Sequence, residues 1–184
     1  QGDLRGALAD CDALLAMAPG NAEARLMRAS IRVSLGDLDG GAEDSALAVI
    51  DPDDVEQLRR RASVRLGAGN LWGAFKDAER AFAKKPSDRR ALMILGQAAA
   101  LLRPDQALKA LDVVLEHWPA DAVSRYARVQ ARLLLVDLTG ALEDCEAAER
   151  VTAAPPDGVA PADVVEARRL LAITAERVRR ALGR

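Results

Sequence analysis

The ten residues GNLWGAFKDA, Gly69 to Ala78, decide the fold because they recur along the chain with small edits. Copies occur before and after this stretch, at 2–11 (GDLRGALADC), 36–45 (GDLDGGAEDS) and 136–145 (VDLTGALEDC), and a shorter, more divergent copy occurs at 103–108 (RPDQAL). The copies are 34, 33, 33 and 34 residues apart, measured at the small residue that anchors each one: Ala7, Gly41, Ala74, Ala107 and Ala141. A fixed period of this size predicts a stacked array of supersecondary units.

The composition favours a helical protein and excludes several classes of partner. Half of the residues are hydrophobic, mostly Ala and Leu, and only 3% are aromatic, whereas strands favour Val, Ile and aromatic residues. The net charge of −2 argues against nucleic-acid binding, which needs a basic surface. No apolar run reaches the ~18 to 20 residues of a membrane span. We therefore expect a soluble protein with no nucleic-acid or membrane partner. The sequence leaves the compartment, cytoplasmic or periplasmic, open, and its Ala- and Arg-rich, Lys-poor usage is typical of GC-rich bacterial genomes.

Proline and glycine divide the chain into helical units. We predict one repeat array over residues 1–184, in which 1–21 supply the second helix of an incomplete unit and 161–184 form a capping helix. Because the first unit lacks its first helix, we expect the chain to belong to a longer protein. The remaining segments are four complete units and a loop: 22–54, 55–88, 89–121, 122–154 and 155–160. Two of the predicted second helices run from Asp37 to Ile50 and from Leu138 to Thr152.

These units resemble the tetratricopeptide repeat (TPR) family, whose helix–turn–helix unit has about 34 residues. The resemblance covers roughly residues 1–152 and implies an all-α fold, a TPR-like α-solenoid of antiparallel helix pairs. Besides the anchors above, the matching residues are small residues in the first helices and prolines between units: Ala29, Ala62, Gly96, Pro19, Pro52, Pro86 and Pro119. The departures are positions where the family has an aromatic or a small residue: Arg25, Leu58, Leu92, Arg125 and Val129.

Three units carry an arginine in the first helix and an aspartate in the second, always sixteen residues apart: Arg28/Asp44, Arg61/Asp77 and Arg128/Asp144. The remaining unit has Leu95 and Ala110 at these places, so it has lost both charges together. Pairing between units would leave unpartnered charges, whereas pairing within a unit leaves none. We therefore predict an ion pair inside each of the three hairpins. Arg32, Arg65 and Arg132 follow one helical turn later, within reach of the same carboxylates.

No residue constellation in the sequence predicts catalysis or a cofactor. His117 is the single histidine, so no histidine pair can hold a metal, and no phosphate-binding glycine loop occurs. Cys11 and Cys145 fall at the same place in two distant units, too far apart for a disulfide, and are interpreted as buried hydrophobic residues. We expect no enzyme, no metal and no cofactor in this chain.

Stacked helix pairs form a groove lined by their first helices. By resemblance to TPR proteins, the groove has an apolar floor and a basic middle formed by Arg59, Arg60 and Arg90. Such a surface suits an extended or helical peptide with apolar anchors and an acidic residue. The other predicted groove residues are Leu26, Met27, Ser30, Ser63, Met93, Ile94, Gln97, Tyr126 and Gln130.

The sequence therefore favours a non-catalytic scaffold that binds a peptide or partner protein in this groove. Two alternatives remain open at this point. The chain would otherwise be a structural spacer that associates with itself end to end, or the regulatory array of an enzyme whose catalytic domain lies outside these 184 residues.

Overall fold

The computed structural model describes residues 3–150 and 161–183, so the predicted loop at 155–160 lies outside the described residues. The side chains of 161–163 are likewise not described. Within the described ranges all regular structure is α-helical and no strand occurs, which confirms the predicted all-α fold. The helices are α1 (Leu4–Met17), α2 (Ala22–Ser34), α3 (Leu38–Leu47), α4 (Val55–Gly67), α5 (Leu71–Lys84), α6 (Arg89–Leu102), α7 (Pro104–His117), α8 (Ala122–Leu134), α9 (Leu138–Glu149) and α10 (Pro161–Ala181).

The contacts divide the chain into two compact units, Gln1–Ile94 and Leu95–Arg184. In the first unit α2 pairs with α3 and α4 with α5, α1 packs on α2, and α4 packs on both helices of the preceding hairpin. In the second unit α8 pairs with α9, α7 packs on α8, and α10 packs on both α8 and α9.

The recurring sequence stretch begins at a helix N-cap, which explains its Asp/Asn-x-x-Gly spacing. The side chains of Asp37 and Asp137 accept hydrogen bonds from the backbone N–H groups of Gly40 and Gly140, both at 2.9 Å. Asn70 caps α5 in the same way. An Asp or Asn at this position satisfies a backbone donor that the first turn of a helix otherwise leaves without a partner.

The small anchor residue lies where the two helices of a hairpin approach most closely. A Cβ atom built on Gly41 of α3 would lie 2.5 Å from Val33 Cγ2 of α2, closer than a packed interior allows. The corresponding Ala74 and Ala141 are fully buried. The anchor is therefore small for steric reasons.

One predicted helix end differs from the structure. Helix α3 ends at Leu47 instead of Ile50, because Ala48 adopts an extended conformation and its carbonyl accepts a hydrogen bond from Arg61 Nη1 at 3.3 Å. Helix α9 ends at Glu149 with Arg150 as its C-cap, and the predicted end at Thr152 lies outside the described residues.

Helix α10 closes the apolar face of the second unit. Leu171, Ala175 and Val178 are buried against α8 and α9, in a cluster that includes Val129 and Cys145. None of the described helices combines the length and the apolar character that crossing a bilayer requires.

Candidate functional site

A buried aspartate joins the two helices of the α2–α3 hairpin. Arg28 of α2 donates to the Asp44 carboxylate through Nε at 2.8 Å and through Nη2 at 2.6 Å. Asp44 is only 1% exposed, so this is a bidentate pair of the strong, charge-assisted kind. The hydrogen bond to Asp44 raises the pKa of the Arg28 guanidinium above its ordinary value.

The same geometry recurs in two other hairpins. Arg61 reaches Asp77 through Nε and Nη2, both at 2.8 Å, and Arg128 reaches Asp144 at 2.9 and 2.5 Å. The arginine one turn later shares each carboxylate, with Arg65 Nη1 2.8 Å from Asp77 Oδ2. Arg32 and Arg132 make the equivalent contacts at 3.0 and 3.1 Å.

Two of these arginines also reach backward along the chain, which the sequence analysis missed. Arg28 Nη1 donates to Asp12 of α1 at 2.8 Å, and Arg128 Nη1 donates to Asp112 of α7 at 2.7 Å. Each arginine therefore connects its own second helix with the preceding one. The signal was present in the sequence, because Asp12 and Asp112 precede their arginines by the same sixteen residues that separate each arginine from its own aspartate.

The first helices α2 and α4 together present an exposed face in the first unit. Arg60 of α4 contacts Glu23 of α2, and its Nε donates to Glu56 at 2.9 Å. One helical turn beyond these charges lie Met27 on α2 and Ser63 on α4, both exposed. Ser30 extends the exposed stripe of α2. We call the surface formed by Glu23, Met27, Ser30, Glu56, Arg60 and Ser63 the α2–α4 face.

The predicted basic middle is largely neutralised by neighbouring carboxylates. Arg59 contacts Glu56, and its Nε lies 3.8 Å from Asp88 Oδ2. The Arg59 side chain is also only 14% exposed. Arg90 is exposed, and the described part of the chain supplies no ion-pair partner for it. Of the three predicted groove arginines, Arg90 is therefore the one without an ion-pair partner among the described residues.

The six remaining predicted groove residues are buried or half-buried. Leu26, Met93 and Ile94 have buried side chains and belong to the interior. Gln97, Tyr126 and Gln130 lie in the second unit and are half-buried. Tyr126 packs against Ala122 and the α10 residues Val164 and Ala167. Apolar periodicity identified the helices correctly but did not separate their inward and outward faces at these positions.

The other sequence candidates have ordinary structural surroundings. His117 lies near the end of α7 with Nδ1 2.9 Å from the Val113 carbonyl oxygen. Both cysteines are unbridged and buried, and burial raises the pKa of the Cys145 thiol to about 11. In the described residues no cluster of three or more His, Cys, Asp or Glu side chains is placed to hold a metal.

Comparison with known proteins identifies the repeat. Residues 1–55 match the tetratricopeptide repeat family, and no curated protein matches the chain. Among solved structures, PilW, described as a widely conserved type IV pilus biogenesis factor, is similar with a TM-score of 0.68 and 21% identity. The likeness covers 98% of this chain and 84% of PilW.

Two further structures are TPR proteins. YrrB, described as a TPR protein with an unusual peptide-binding site, has a TM-score of 0.65 at 19% identity, over 91% of this chain and 84% of YrrB. A thermophilic TPR protein from Thermus thermophilus has a TM-score of 0.62 at 20% identity, over 93% of this chain and 90% of that protein. Residues 1–55 thus match the tetratricopeptide repeat family, and the fold over nearly the whole chain is similar to that of solved TPR proteins.

Proposed function

We propose that this chain is a protein–protein interaction scaffold that binds a peptide segment of a partner protein on the α2–α4 face. The observation that carries the proposal is the exposure of Met27, Ser30 and Ser63 on two packed first helices. Neither serine hydroxyl has a hydrogen-bond partner within the described residues. An exposed methionine adapts to varied apolar side chains, and free hydroxyls can bond to a peptide backbone.

Arg60 is the one positive charge of this face, and its ion pairs can exchange with a carboxylate of the ligand. Arg60 is 44% exposed, and its two carboxylate partners are each 50% exposed. Exposed ion pairs contribute little free energy, so a ligand carboxylate can replace Glu23 or Glu56 at small cost.

The comparisons support this class of function without identifying the partner. The TPR fold is an interaction fold, and YrrB is described as a TPR protein with an unusual peptide-binding site. We propose no catalytic step for these residues. The α2–α4 face would serve equally in a free-standing scaffold or in the regulatory array of an enzyme whose catalytic domain lies elsewhere.

The experiment is a peptide selection followed by a matched pair of variants. Peptides selected from a random displayed library on the wild-type protein are titrated by fluorescence anisotropy. The Met27→Glu/Ser63→Glu variant adds two carboxylates to the α2–α4 face, and Ala46→Glu/Ala83→Glu adds two to exposed positions of α3 and α5. We expect the first variant to weaken binding by at least about tenfold, or about 1.4 kcal/mol, and the second to bind like the wild type. Equal binding by both variants would place the ligand on another surface.

A further inference from the structure

Large apolar side chains are exposed together at one end of the second unit. Because α7 and α8 pack as consecutive helices joined by a short turn at 118–121, they are antiparallel. The start of α7 and the end of α8 therefore lie at the same end of the unit. Both places carry exposed aliphatic residues, which together we call the Leu135 patch: Leu101, Leu102, Leu134, Leu135 and Val136.

The patch is exposed although helices flank it on both sides. Helix α7 packs on α8, and α10 packs on α8 and α9, so the α8–α9 hairpin has neighbours before and after it. Leu35 is the equivalent of Leu135 in the α2–α3 hairpin. It is exposed to the same extent, 44% compared with 45%, with α1 and α4 packed on that hairpin. The turn inside both hairpins thus points outward, where it can contact another molecule.

Two residues of the patch are unusual for an exposed turn. Leu134 and Val136 occupy positions at which the α2–α3 and α4–α5 hairpins have only serine or glycine: Ser34, Gly36, Gly67 and Gly69. Val136 is 77% exposed and has a φ of 62°, a conformation that is unfavourable for a β-branched residue. Strained residues cluster at binding surfaces, and contiguous exposed apolar residues mark such surfaces. Strain and exposure at the same residue therefore indicate a contact with another molecule.

The charges beside the patch fit a second copy of the same patch. Arg103 follows Leu102, Asp137 follows Val136, and both charged residues are exposed. When two patches face each other about a two-fold axis, the α6–α7 turn of one copy meets the α8–α9 turn of the other, and Arg103 lies opposite Asp137 twice. Opposite charges at the rim fix the register of such a contact. An anionic lipid surface is a poorer occupant, because the exposed Asp137 would face its negative charge.

The size of the patch is that of a reversible contact. Five large aliphatic side chains exposed by about half make a patch of roughly 400 Å². Two such patches with their polar rims bury about 1,000 to 1,200 Å² in total, at the lower end of specific interfaces. A contact of this size is expected to form a dimer that dissociates on dilution.

We propose that two copies of this chain form a dimer by packing their Leu135 patches against each other about a two-fold axis. The contact is isologous, so it closes at two copies. The apolar residues of the α8–α9 turn of one copy pack against Leu101 and Leu102 of the other, with Arg103 paired to Asp137 at the rim. The patch shares no residue with the α2–α4 face, so either proposal can fail without the other.

The test is the mass of the protein in solution over a hundredfold range of concentration, measured by sedimentation velocity. The wild type is expected to change from monomer to dimer as the concentration rises. Leu135→Glu places a carboxylate in the apolar contact of each copy and is expected to weaken dimerisation by about tenfold or more. Leu35→Glu is the matched control, because Leu35 and Leu135 are both C-cap residues with the same backbone conformation, φ −87° and −88°. The control is expected to dimerise like the wild type.

The Val136→Gly variant separates a loss of contact from a loss of folding. Glycine removes the exposed side chain and suits the φ of 62°, so the variant is expected to stay folded while its dimerisation weakens by about tenfold. Urea unfolding at the lowest concentration, where the monomer predominates, checks that its fold is no less stable than that of the wild type.

A wild type that stays monomeric at every concentration would overturn the proposal. So would a Leu135→Glu variant that dimerises as tightly as Leu35→Glu, or a Val136→Gly variant that dimerises like the wild type. A wild-type mass that continues to rise beyond that of a dimer would contradict the closed two-fold contact.

Discussion

Arg28 and Asp12 lie on different helix layers, yet Arg28 Nη1 donates to Asp12 Oδ1 at 2.8 Å while the rest of the guanidinium holds Asp44. One side chain thus connects α1, α2 and α3. Arg128 repeats the arrangement with Asp112 and Asp144. The α2–α3 and α8–α9 hairpins are therefore held together by arginine contacts to a buried aspartate as well as by apolar packing.

The Arg61–Asp77 pair is expected to show strong energetic coupling. Asp77 is almost fully buried and accepts from both Arg61 and Arg65. Removing one partner of such a pair leaves a buried charge without compensation, so Asp77→Ala should lower the free energy of unfolding by about 3 kcal/mol. A double-mutant cycle with Arg61→Ala, measured by urea unfolding, should give a coupling energy above about 1.5 kcal/mol. Coupling near zero would mean that these charges contribute only as solvated groups.

The α6–α7 hairpin provides a natural control for the same chemistry. Ala110 is buried at the position that holds an aspartate in the other hairpins, and Leu95 stands in place of the arginine. Ala110→Asp should therefore destabilise the protein by several kcal/mol, since burying an unpaired charge costs about 3 kcal/mol or more. Adding Leu95→Arg should recover part of the lost stability, measured as a higher urea midpoint of unfolding. If the double variant unfolds no later than Ala110→Asp alone, the pair geometry does not transfer to this hairpin.

Much of this architecture could be predicted from the sequence because it depends on local spacing. The N-cap residues and the small anchors recur at fixed positions, and both act within one hairpin. The end of α3 could not be predicted in this way, because the Ala48 carbonyl is turned toward Arg61 of the following hairpin. The sequence pattern could not predict which side of α6 is buried either. Met93 and Ile94 are apolar and would suit a groove floor or the interior, and only the packing shows that they are interior.

The candidate site was harder to predict than the fold for an electrostatic reason. Arg59 and Arg60 follow one another in the sequence and indicated a basic groove. In the structure Glu56, Glu23 and Asp88 lie within reach of these two guanidinium groups. Glu23 and Arg60 are 37 residues apart in the sequence. Their contact can be inferred only when the packing of α2 on α4 is known.

The turn before α9 contains backbone strain that a single substitution can relieve. Val136 has a φ of 62°, whereas the corresponding turn residues Gly36 and Gly69 have φ of 88° and 79°. A β-branched residue in the left-handed region destabilises the fold by about 1 to 2 kcal/mol. Glycine removes this strain but lowers stability by about 0.5 to 1 kcal/mol, because it increases the entropy of the unfolded chain. Val136→Gly should therefore raise the free energy of unfolding by about 0.5 to 1 kcal/mol. Gly69→Val is the matched control and should lower it, so a stabilising Gly69→Val would contradict the explanation.

The two thiols are expected to be inert in the folded protein. Burial raises the pKa of Cys145 to about 11, and burial also raises the pKa of Cys11. The reactive thiolate is thus disfavoured, and both sulfurs are buried. Titration with a chromogenic disulfide at pH 8 should detect no rapid thiol in native protein and two after denaturation in guanidinium chloride. A thiol that reacts at once in the native protein would show that its helix opens readily.

The most direct test of the central proposal is to locate a selected peptide on the protein by NMR. Backbone amide shifts of isotope-labelled protein are followed during titration with the peptide that binds most tightly. We expect the largest changes at Met27, Ser30, Arg60 and Ser63, with little change on the outer sides of α3 and α5. Changes concentrated on those second helices, with the α2–α4 face unaffected, would contradict the account.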